Sequence, residues 1–241
     1  MKIIAHRGGK VGKENSLEAF LAAIDMGADL VECDVRKTKD GAYVIFHDKG
    51  FKRLANSAAA VTDVTLGEMA EILGKSGRTV LTFDELAAGY HETTPILLHI
   101  KTAEADDALA ERIANSALPI VAGVSSLQML RCVSKYLPPE RILAFMENRD
   151  LAKEYYDGGA GIIRLWENWL DRIKPADVKR ICPDAKVFVM ACRIDWQDTS
   201  EIVLSDMDGS GESLDKCLAL GVDGVLMNDV QIALAWRKQQ A

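Results

Sequence analysis

Hydrophobic residues along the chain fall into two kinds of block. Short runs rich in β-branched residues alternate with longer stretches whose apolar residues recur every three or four positions, and these patterns are typical of strands and helices, respectively. Strands are predicted at residues 3–5, 30–35, 96–101, 120–123, 142–146, 161–165, 186–191 and 224–227, with an additional arm at 43–46. The alternation indicates a parallel sheet covered by helices.

The stretches between the strands predict the helices. Ser16 has the side chain and position of an N-cap for a helix over residues 17–26, and Gly27 ends this helix. Further helices are predicted near residues 66–73, 83–90, 103–116, 126–136, 151–156, 176–182, 212–219 and 230–238. A polar loop is predicted at residues 195–211.

Eight strand–helix units in 241 residues predict an α/β protein with the (β/α)8 TIM-barrel fold. We expect one barrel domain over residues 1–241, with residues 49–94 as an insertion or elaborated loop after the second strand. An open doubly wound sheet is the competing architecture. Its usual dinucleotide-binding sequence, GxGxxG, does not follow the first strand.

The composition suits a soluble domain with a large core, because 49% of the residues are hydrophobic and 27% are charged. The formal net charge of −7 argues against nucleic acid as a partner, since phosphate backbones select basic proteins. A small anionic substrate is compatible with this charge, because a local pocket can be positive on an acidic protein.

Cysteine usage and hydropathy suggest a compartment. The five cysteines are scattered without a CxxC pair, which favours reduced thiols over disulfides or a zinc–thiolate site. The N-terminus has no apolar signal segment, and no window approaches the run of about 20 apolar residues that spans a membrane. A cytoplasmic protein without stable membrane association is therefore expected, and its oligomeric state stays open.

Two carboxylates interrupt the apolar strand at residues 30–35. Glu32 and Asp34 are two positions apart, so both side chains lie on the same face of the strand. Two buried like charges repel each other and lose hydration unless a positive group compensates them. A hard divalent cation with oxygen ligands is one such group; a strand end that reaches water or an arginine is the alternative.

Other polar residues also lie at the ends of predicted strands. They are His6, Arg7, His47, His99 and Lys101. The carboxyl ends of barrel strands meet at one face, where active sites lie. Carboxylates with a cation, two cationic side chains for phosphate oxygens and two imidazoles for proton transfer together describe phosphodiester cleavage.

Five segments within the first 48 residues carry a family resemblance. They are His6-Arg7-Gly8, Glu14–Phe20, Gly27–Val35, Thr38–Gly41 and Val44–Asp48, with weaker similarity at His99–Lys101, Ser125-Ser126 and residues 221–225. In these segments the chain closely resembles the glycerophosphodiester phosphodiesterase family. The resemblance implies a TIM barrel with an extra segment after the second strand. It also implies hydrolysis of glycerophosphodiesters to glycerol 3-phosphate and an alcohol, with one divalent cation, commonly Mg²⁺ or Ca²⁺.

The resemblance assigns roles by position. His6 and His47 would be the acid–base pair, and Glu32 and Asp34 would be metal ligands. His99 stands where the family has a third metal-binding glutamate. Because imidazole suits Mn²⁺ or Zn²⁺ better than Mg²⁺, His99 is expected either to ligate such an ion or to act from outside the coordination sphere.

Four further residues are candidates for substrate binding. By the resemblance, Arg7 and Lys101 would bind the phosphate, and Glu14 would orient the first loop or approach the metal. Arg164 is expected either to meet an anionic group of the substrate or to pair with an acid. Nearby Trp166 either covers the pocket or packs beneath a loop.

Two alternative functions stay open at this point. The segments Met190–Arg193 and Asn228–Gln231 depart from the family pattern, and together with His99 they are compatible with non-catalytic binding of a phosphorylated metabolite. The second alternative is a phosphodiesterase with a different headgroup, such as that of a lysophospholipid or sphingomyelin. Direct hydrolysis and a route through a cyclic phosphate are equally compatible with the sequence.

Overall fold

The computed structural model describes residues 1–102, 104–194, 204–206 and 212–240. The strands are β1 Lys2–Ala5, β2 Leu30–Lys37, β3 Tyr43–Ile45, β4 Ile96–Ile100, β5 Ile120–Val124, β6 Ile142–Ala144, β7 Ile162–Trp166, β8 Lys186–Met190, β9 Cys192–Ile194, β10 Leu204–Asp206 and β11 Gly224–Met227. The α-helices are α1 Leu17–Asp25, α2 Lys52–Ala55, α3 Leu66–Gly74, α4 Phe83–Gly89, α5 Asp107–Asn115, α6 Leu127–Val133, α7 Ala152–Asp157, α8 Pro175–Ile181, α9 Glu212–Ala219 and α10 Val230–Gln239.

Eight parallel strands close into a ring with helices between them. The order around the ring is β1, β2, β4, β5, β6, β7, β8 and β11. β1 closes it, because Ile4 pairs with Leu30 of β2 on one side and with Leu226 of β11 on the other. This architecture confirms the predicted (β/α)8 barrel.

β3 lies outside the ring as the antiparallel partner of β2, with Val35 opposite Ile45. The segment predicted as an insertion, residues 49–94, contains α2, α3 and α4. An apolar cluster separate from the barrel core lies beneath this segment and includes Val44, Phe46, Phe51, Val61, Met69 and Leu73. The assignment of these residues as an insertion into a single domain stays a prediction.

The barrel has two apolar layers, which follow from the alternation of side chains along each strand. On β2, Val31, Cys33 and Val35 belong to the large layer between strands and helices. Leu30 belongs to the inner layer, which is lined by Ile4, Leu30, Leu97, Leu143, Phe145, Ile162, Phe188, Met190 and Leu226. Glu32 and Asp34 have the same parity as Leu30, so they face the barrel interior above this apolar floor.

Helix boundaries follow their caps. Ser16 accepts a hydrogen bond from Ala19 N at 3.2 Å, and α1 begins at the predicted residue. α5 begins at Asp107, four residues after the predicted start, because Asp106 caps it by accepting from Leu109 N at 3.0 Å. Within the described ranges, no helix combines the length and apolarity that crossing a bilayer requires.

A short antiparallel hairpin of β9 and β10 follows the seventh ring strand, β8. The sequence pattern did not predict it, because each strand has only three residues. The polar loop predicted at 195–211 lies, except for 204–206, outside the described residues.

Candidate active site

The chain leaves β1 through a tight turn that places the first functional residues. Arg7, Gly8 and Gly9 all have positive φ angles, of 51°, 91° and 71°. A Cβ atom at Gly8 would lie 2.6 Å from the Cβ of Ala19 in α1, so only glycine allows this close approach. The turn directs the backbone N–H of Arg7 at Glu32, to which it donates a hydrogen bond at 3.1 Å.

Glu32 and Asp34 form a buried carboxylate pair on β2, with exposed fractions of 1% and 0%. The register of β2 and β4 sets Asp34 beside His99. His99 Nδ1 lies 3.4 Å from Asp34 Oδ1 and 4.0 Å from Glu32 Oε1. One donor atom from each of these three residues lies within 4.8 Å of the other two, so together they can hold one metal ion.

The charges of the pair are incompletely compensated by the protein. Lys101 Nζ lies 3.1 Å from Asp34 Oδ1. Burial acts to raise the pKa of Asp34, but Lys101 and His99 hold it well below its usual range. Burial and the neighbouring Asp34 raise the pKa of Glu32 to about 8. A bound cation would supply the missing positive charge, and the oxygen–oxygen–nitrogen donor set fits such an ion.

Asn15 fixes the orientation of Asp34. Its Nδ2 donates to Asp34 Oδ2 at 3.1 Å, and its Oδ1 accepts from the backbone N–H of Asp34 at 3.2 Å. Asn15 itself has a φ of 56° and donates its backbone N–H to the carbonyl of Arg7 at 3.1 Å. The amide therefore connects the first loop to the carboxylate pair.

His6 is buried next to the pair in a defined tautomer. Its Nδ1 bonds to Oδ1 of Asn228, and because an amide oxygen only accepts, Nδ1 is the donor. Nε2 is then the basic nitrogen, and it lies 3.8 Å from Glu32 Oε2. Burial, followed by the charge of Arg7, lowers the pKa of His6 to about 3, so its imidazole is neutral near pH 7.

His47 follows β3 and has a charged partner. Its Nδ1 lies 2.6 Å from Oδ1 of Asp48, and Arg36 Nε donates to its carbonyl at 2.8 Å. Burial lowers the pKa of His47 below its ordinary value, and the hydrogen bond to Asp48 opposes this effect only in part. His47 also contributes to the low pKa of His6, so the two imidazoles lie within electrostatic range of each other.

Glu14 lies between two arginines. It accepts from Arg53 Nη2, and its Oε2 is 3.5 Å from Arg7 Nη1. Arg7 Nε is in turn 3.6 Å from Asp34 Oδ2. Of the two roles expected for Glu14, these contacts favour orientation of the first loop.

The ring of His99 is held on both sides. It stacks on Phe145 with centroids 3.8 Å apart and an angle of 16° between the rings, and its Nε2 lies 2.8 Å from Ser125 Oγ. With Nε2 engaged in this way, Nδ1 faces the carboxylates. Gly123 permits the stack, because a Cβ atom there would lie 2.4 Å from the Phe145 ring.

Arg164 is 4% exposed, and its guanidinium carbon lies 4.0 Å from the centroid of the Trp166 ring and 5.2 Å from that of Phe145. Burial, followed by the charge of Lys101, lowers the pKa of His99, and the charge of Arg164 adds to this effect. Arg164 therefore lies within electrostatic range of His99 and is stacked on aromatic rings, and its role towards a substrate stays a prediction. The neighbouring Trp169 belongs to the outer apolar layer.

The structure brings most of the sequence candidates together and adds positioning residues to them. Direct contacts join His6, Arg7, Glu32, Asp34, His99 and Lys101. The sequence pattern does not predict a role for five of the positioning residues, Asn15, Asp48, Arg53, Ser125 and Asn228. Four of these lie next to or within motif segments or strand ends, a position that marks them as candidates but does not indicate their partners. Arg53, in the insertion, has no such signal.

Comparison with known proteins gives consistent matches. The model of the glycerophosphoryl diester phosphodiesterase family matches residues 6–126. The glycerophosphodiester phosphodiesterase of Caldanaerobacter subterraneus subsp. tengcongensis is 33% identical over 143 residues, which cover 58% of this chain and 56% of that protein. The chain spans about half the length of the first curated relatives it matches, 45% and 56%.

Solved structures agree in fold over nearly the whole chain. The glycerophosphodiester phosphodiesterase of Thermotoga maritima has a TM-score of 0.71 at 22% identity, covering 97% of this chain and 96% of that one. An Oleispira antarctica phosphodiesterase, solved in complex with the product sn-glycerol-3-phosphate, has a TM-score of 0.69 at 18% identity, covering 99% and 97%. With the match to residues 6–126, which is half of the chain, these findings establish that the chain belongs to the glycerophosphoryl diester phosphodiesterase family.

Proposed function

We propose that this chain is a divalent-cation-dependent phosphodiesterase that hydrolyses glycerophosphodiesters, or a related small phosphodiester, to glycerol 3-phosphate and an alcohol. The observation that carries the proposal is the buried pair of Glu32 and Asp34 with imidazoles on two sides, from His6 and His99. The names of the relatives support it. The Caldanaerobacter protein is named a glycerophosphodiester phosphodiesterase, and the Oleispira enzyme is described with sn-glycerol-3-phosphate as its product.

Glu32, Asp34 and His99 would hold the cation. When bound, it would polarise a phosphoryl oxygen as a Lewis acid. The donor set differs from an all-carboxylate site, because His99 presents Nδ1 and has Nε2 fixed by Ser125 at 2.8 Å. The site is therefore proposed to accept Mn²⁺ and Zn²⁺ in addition to Mg²⁺ or Ca²⁺.

The remaining residues bind phosphate and move protons. Arg7 and Lys101, which already face Asp34, bind the non-bridging phosphate oxygens. His6 accepts the proton of the attacking oxygen at Nε2, because it is neutral and its Nδ1 is occupied by a hydrogen bond. His47, which Asp48 orients and whose protonated form Asp48 favours against the opposing effect of burial, donates a proton to the leaving oxygen.

The attacking oxygen is either water or the neighbouring hydroxyl of the glycerol. Water attack forms one P–O bond, breaks another and gives glycerol 3-phosphate directly. Hydroxyl attack first gives a cyclic phosphate, which water then opens. Phosphorus NMR during turnover distinguishes the routes, since only the second produces a cyclic intermediate.

The test is an assay of purified protein freed of metal and resupplied with Mg²⁺, Ca²⁺, Mn²⁺ or Zn²⁺. Substrates are glycerophosphocholine, glycerophosphoethanolamine and lysophosphatidylcholine, with release of glycerol 3-phosphate or choline as the readout. We expect turnover of the first two, and its loss in His6→Ala and His47→Ala. His91→Ala is the matched control, because His91 is an exposed loop residue.

Absence of turnover with every cation would contradict the proposal. Thermal stabilisation by glycerol 3-phosphate without any product formation would favour the alternative of non-catalytic binding. Turnover of lysophosphatidylcholine alone would favour the alternative headgroup, a possibility suggested by the human relative named lysophospholipase D GDPD1, which is 37% identical over 75 residues, 31% of this chain and 24% of that protein.

A further inference from the structure

A cavity of about 560 Å³ opens beside His6 and Asn228. Its lining is basic, although the whole chain carries a formal charge of −7. The charged lining residues comprise five cations and one anion: Arg7, Lys10, Lys13, Arg53 and Arg78 against Glu14. This acidic protein thus has a positively charged cavity next to its candidate catalytic histidine, His6.

The cations come from two separate parts of the chain, which a hydrogen bond holds together. Lys10 and Lys13 belong to the loop after β1, whereas Arg53 and Arg78 belong to the segment 49–94. Lys13 Nζ donates to the carbonyl of Gly77 at 2.6 Å. The carbonyl accepts a hydrogen bond from the ammonium group without neutralising its charge. The contact therefore fixes the position of Lys13 in the cavity lining and leaves the lining positively charged.

Arg78 is the cation best suited to an exogenous anion. Its backbone N–H donates to the carbonyl of Leu73 at 3.1 Å, which anchors it just after α3. Its side chain is half-buried and forms no hydrogen bond or ion pair with any residue in the described ranges. By contrast, Arg7 and Arg53 already share Glu14. A guanidinium presents a planar fork that matches a carboxylate or a phosphate.

We propose that this cavity binds a second anionic group, a carboxylate or a phosphate, carried by the alcohol half of the diester. The inference rests on the proposed phosphodiesterase function and refines its substrate class. The glycerol half has no ionisable group, so only the alcohol half can match the charge of the cavity. Glycerophosphodiesters with an anionic alcohol are then preferred over those whose alcohol carries only an amine.

Two substrates that differ by one carboxylate test the proposal. Glycerophosphoserine is glycerophosphoethanolamine with an added carboxylate. We expect kcat/KM to be roughly fivefold higher for the serine ester, the value of one partly exposed ion pair. Glycerophosphoglycerol and its derivative with a terminal phosphate provide the same comparison for a phosphate in place of the carboxylate.

Arg78→Ala should bring the serine-to-ethanolamine ratio of kcat/KM down towards one, and Arg78→Glu should invert it. Arg131→Ala is the matched control, because it removes one exposed arginine of α6 that does not line the cavity. Its ratio should equal that of the unaltered protein. A wild-type ratio of one or below, or a ratio that Arg78→Ala leaves unchanged, would overturn the proposal.

Failure of the proposed function is a separate outcome. If none of the diesters is hydrolysed with any cation, the phosphodiesterase assignment fails, and calorimetric binding of phosphoserine and phosphoethanolamine still decides the question of the cavity. Tighter binding of phosphoserine that depends on Arg78 would support the anion site, and equal binding of the two compounds would refute it.

Discussion

Arg53 Nε donates to Asp48 Oδ2 at 2.7 Å, and the same guanidinium donates to Glu14 through Nη2. Asp48 orients His47, whereas Glu14 pairs with Arg7. Arg53, in the segment 49–94, thus bridges two acidic side chains. Asp48 orients the candidate proton donor, and Glu14 pairs with a candidate phosphate-binding arginine.

Replacement of Arg53 is therefore predicted to disturb both halves of the site. Arg53→Ala should lower kcat/KM for glycerophosphoethanolamine roughly tenfold, because small displacements of catalytic groups are costly. Arg53→Lys keeps the charge but cannot bridge both acids, so it should have an intermediate rate. Steady-state kinetics measure these changes. Equal rates for Arg53→Ala and the unaltered protein would show that the bridge has no positioning role.

The pH dependence of the reaction should respond to Asp48. The Asp48 carboxylate raises the pKa of His47, so its removal in Asp48→Asn lowers that pKa. If protonated His47 is the proton donor, activity is lost as pH rises through its pKa, and the alkaline limb of the kcat/KM profile moves to lower pH. Asp184→Asn, at an exposed position, should leave the limb in place. A shift to higher pH in Asp48→Asn would refute the assigned role.

Metal preference is predicted to depend on His99. His99→Glu replaces the imidazole by a carboxylate, and it should improve the affinity for Mg²⁺ relative to Zn²⁺ by roughly tenfold. Titration calorimetry of metal-free protein with each ion measures the ratio without reference to activity. His91→Glu adds the same charge at an exposed loop position and should leave the ratio unchanged. The same ratio in both variants would indicate that His99 is not a ligand.

Gly123 is predicted to be intolerant of any side chain. A Cβ atom there would meet the Phe145 ring at 2.4 Å, so Gly123→Ala must displace the ring that stacks on His99. The expected loss is about 1–3 kcal/mol in the free energy of unfolding, the usual range for overpacking. Urea denaturation measures it. Phe145→Leu in the Gly123→Ala background should recover part of the loss, and strictly additive effects would show that the two sites are not coupled.

Asp106 is predicted to stabilise the fold in a pH-dependent way. It caps α5 through Leu109 N at 3.0 Å and accepts from Lys37 Nζ and Tyr43 Oη, both at 2.9 Å. Asp106→Ala should cost about 1–2 kcal/mol of unfolding free energy at neutral pH. Burial acts to raise the pKa of Asp106, but Lys37 and the cap lower it overall. The stabilisation of the fold by the Asp106 carboxylate is therefore fully present above the pKa of an unfolded aspartate. It is lost as pH falls through the lowered pKa of Asp106 in the folded state.

Urea denaturation of Asp106→Ala across an acidic pH series checks this sign, since its deficit against the unaltered protein should shrink as pH falls. Asp107→Ala is the neighbouring control. Asp107 is exposed and interacts with exposed Lys135 and with the thiol of Cys132, so its replacement should cost well under about 1 kcal/mol. A constant deficit for Asp106→Ala at all pH values would contradict the assignment of its effect to the ionised carboxylate.

Much of the candidate site could be predicted because it obeys local rules. Glu32 and Asp34 share a face by strand periodicity alone. The barrel fold then brings His99 beside Asp34, because the ends of neighbouring parallel strands meet at one edge. Both steps require only the pattern of residues within single strands and the number of strands.

The supporting contacts could not be predicted in this way. Asn228 is 222 positions away from its partner His6, and periodicity carries no information on which loop meets which. Arg53 lies in α2, a helix of four residues, which is too short for a repeating pattern to identify. Local sequence patterns therefore predict the strands. The partners that fix the tautomers and orientations of the site residues depend on tertiary structure, which these patterns do not contain.

The bond between His6 and Asn228 joins residues 222 positions apart, which follow the first and the last strand of the ring. As the polypeptide leaves the ribosome, both carboxylates emerge long before Asn228, but His6 gains the partner that sets its tautomer only after β11 docks beside β1. A nascent chain could thus capture a cation early and still lack its proposed base. Under the proposed mechanism, turnover itself would report that the ring has closed.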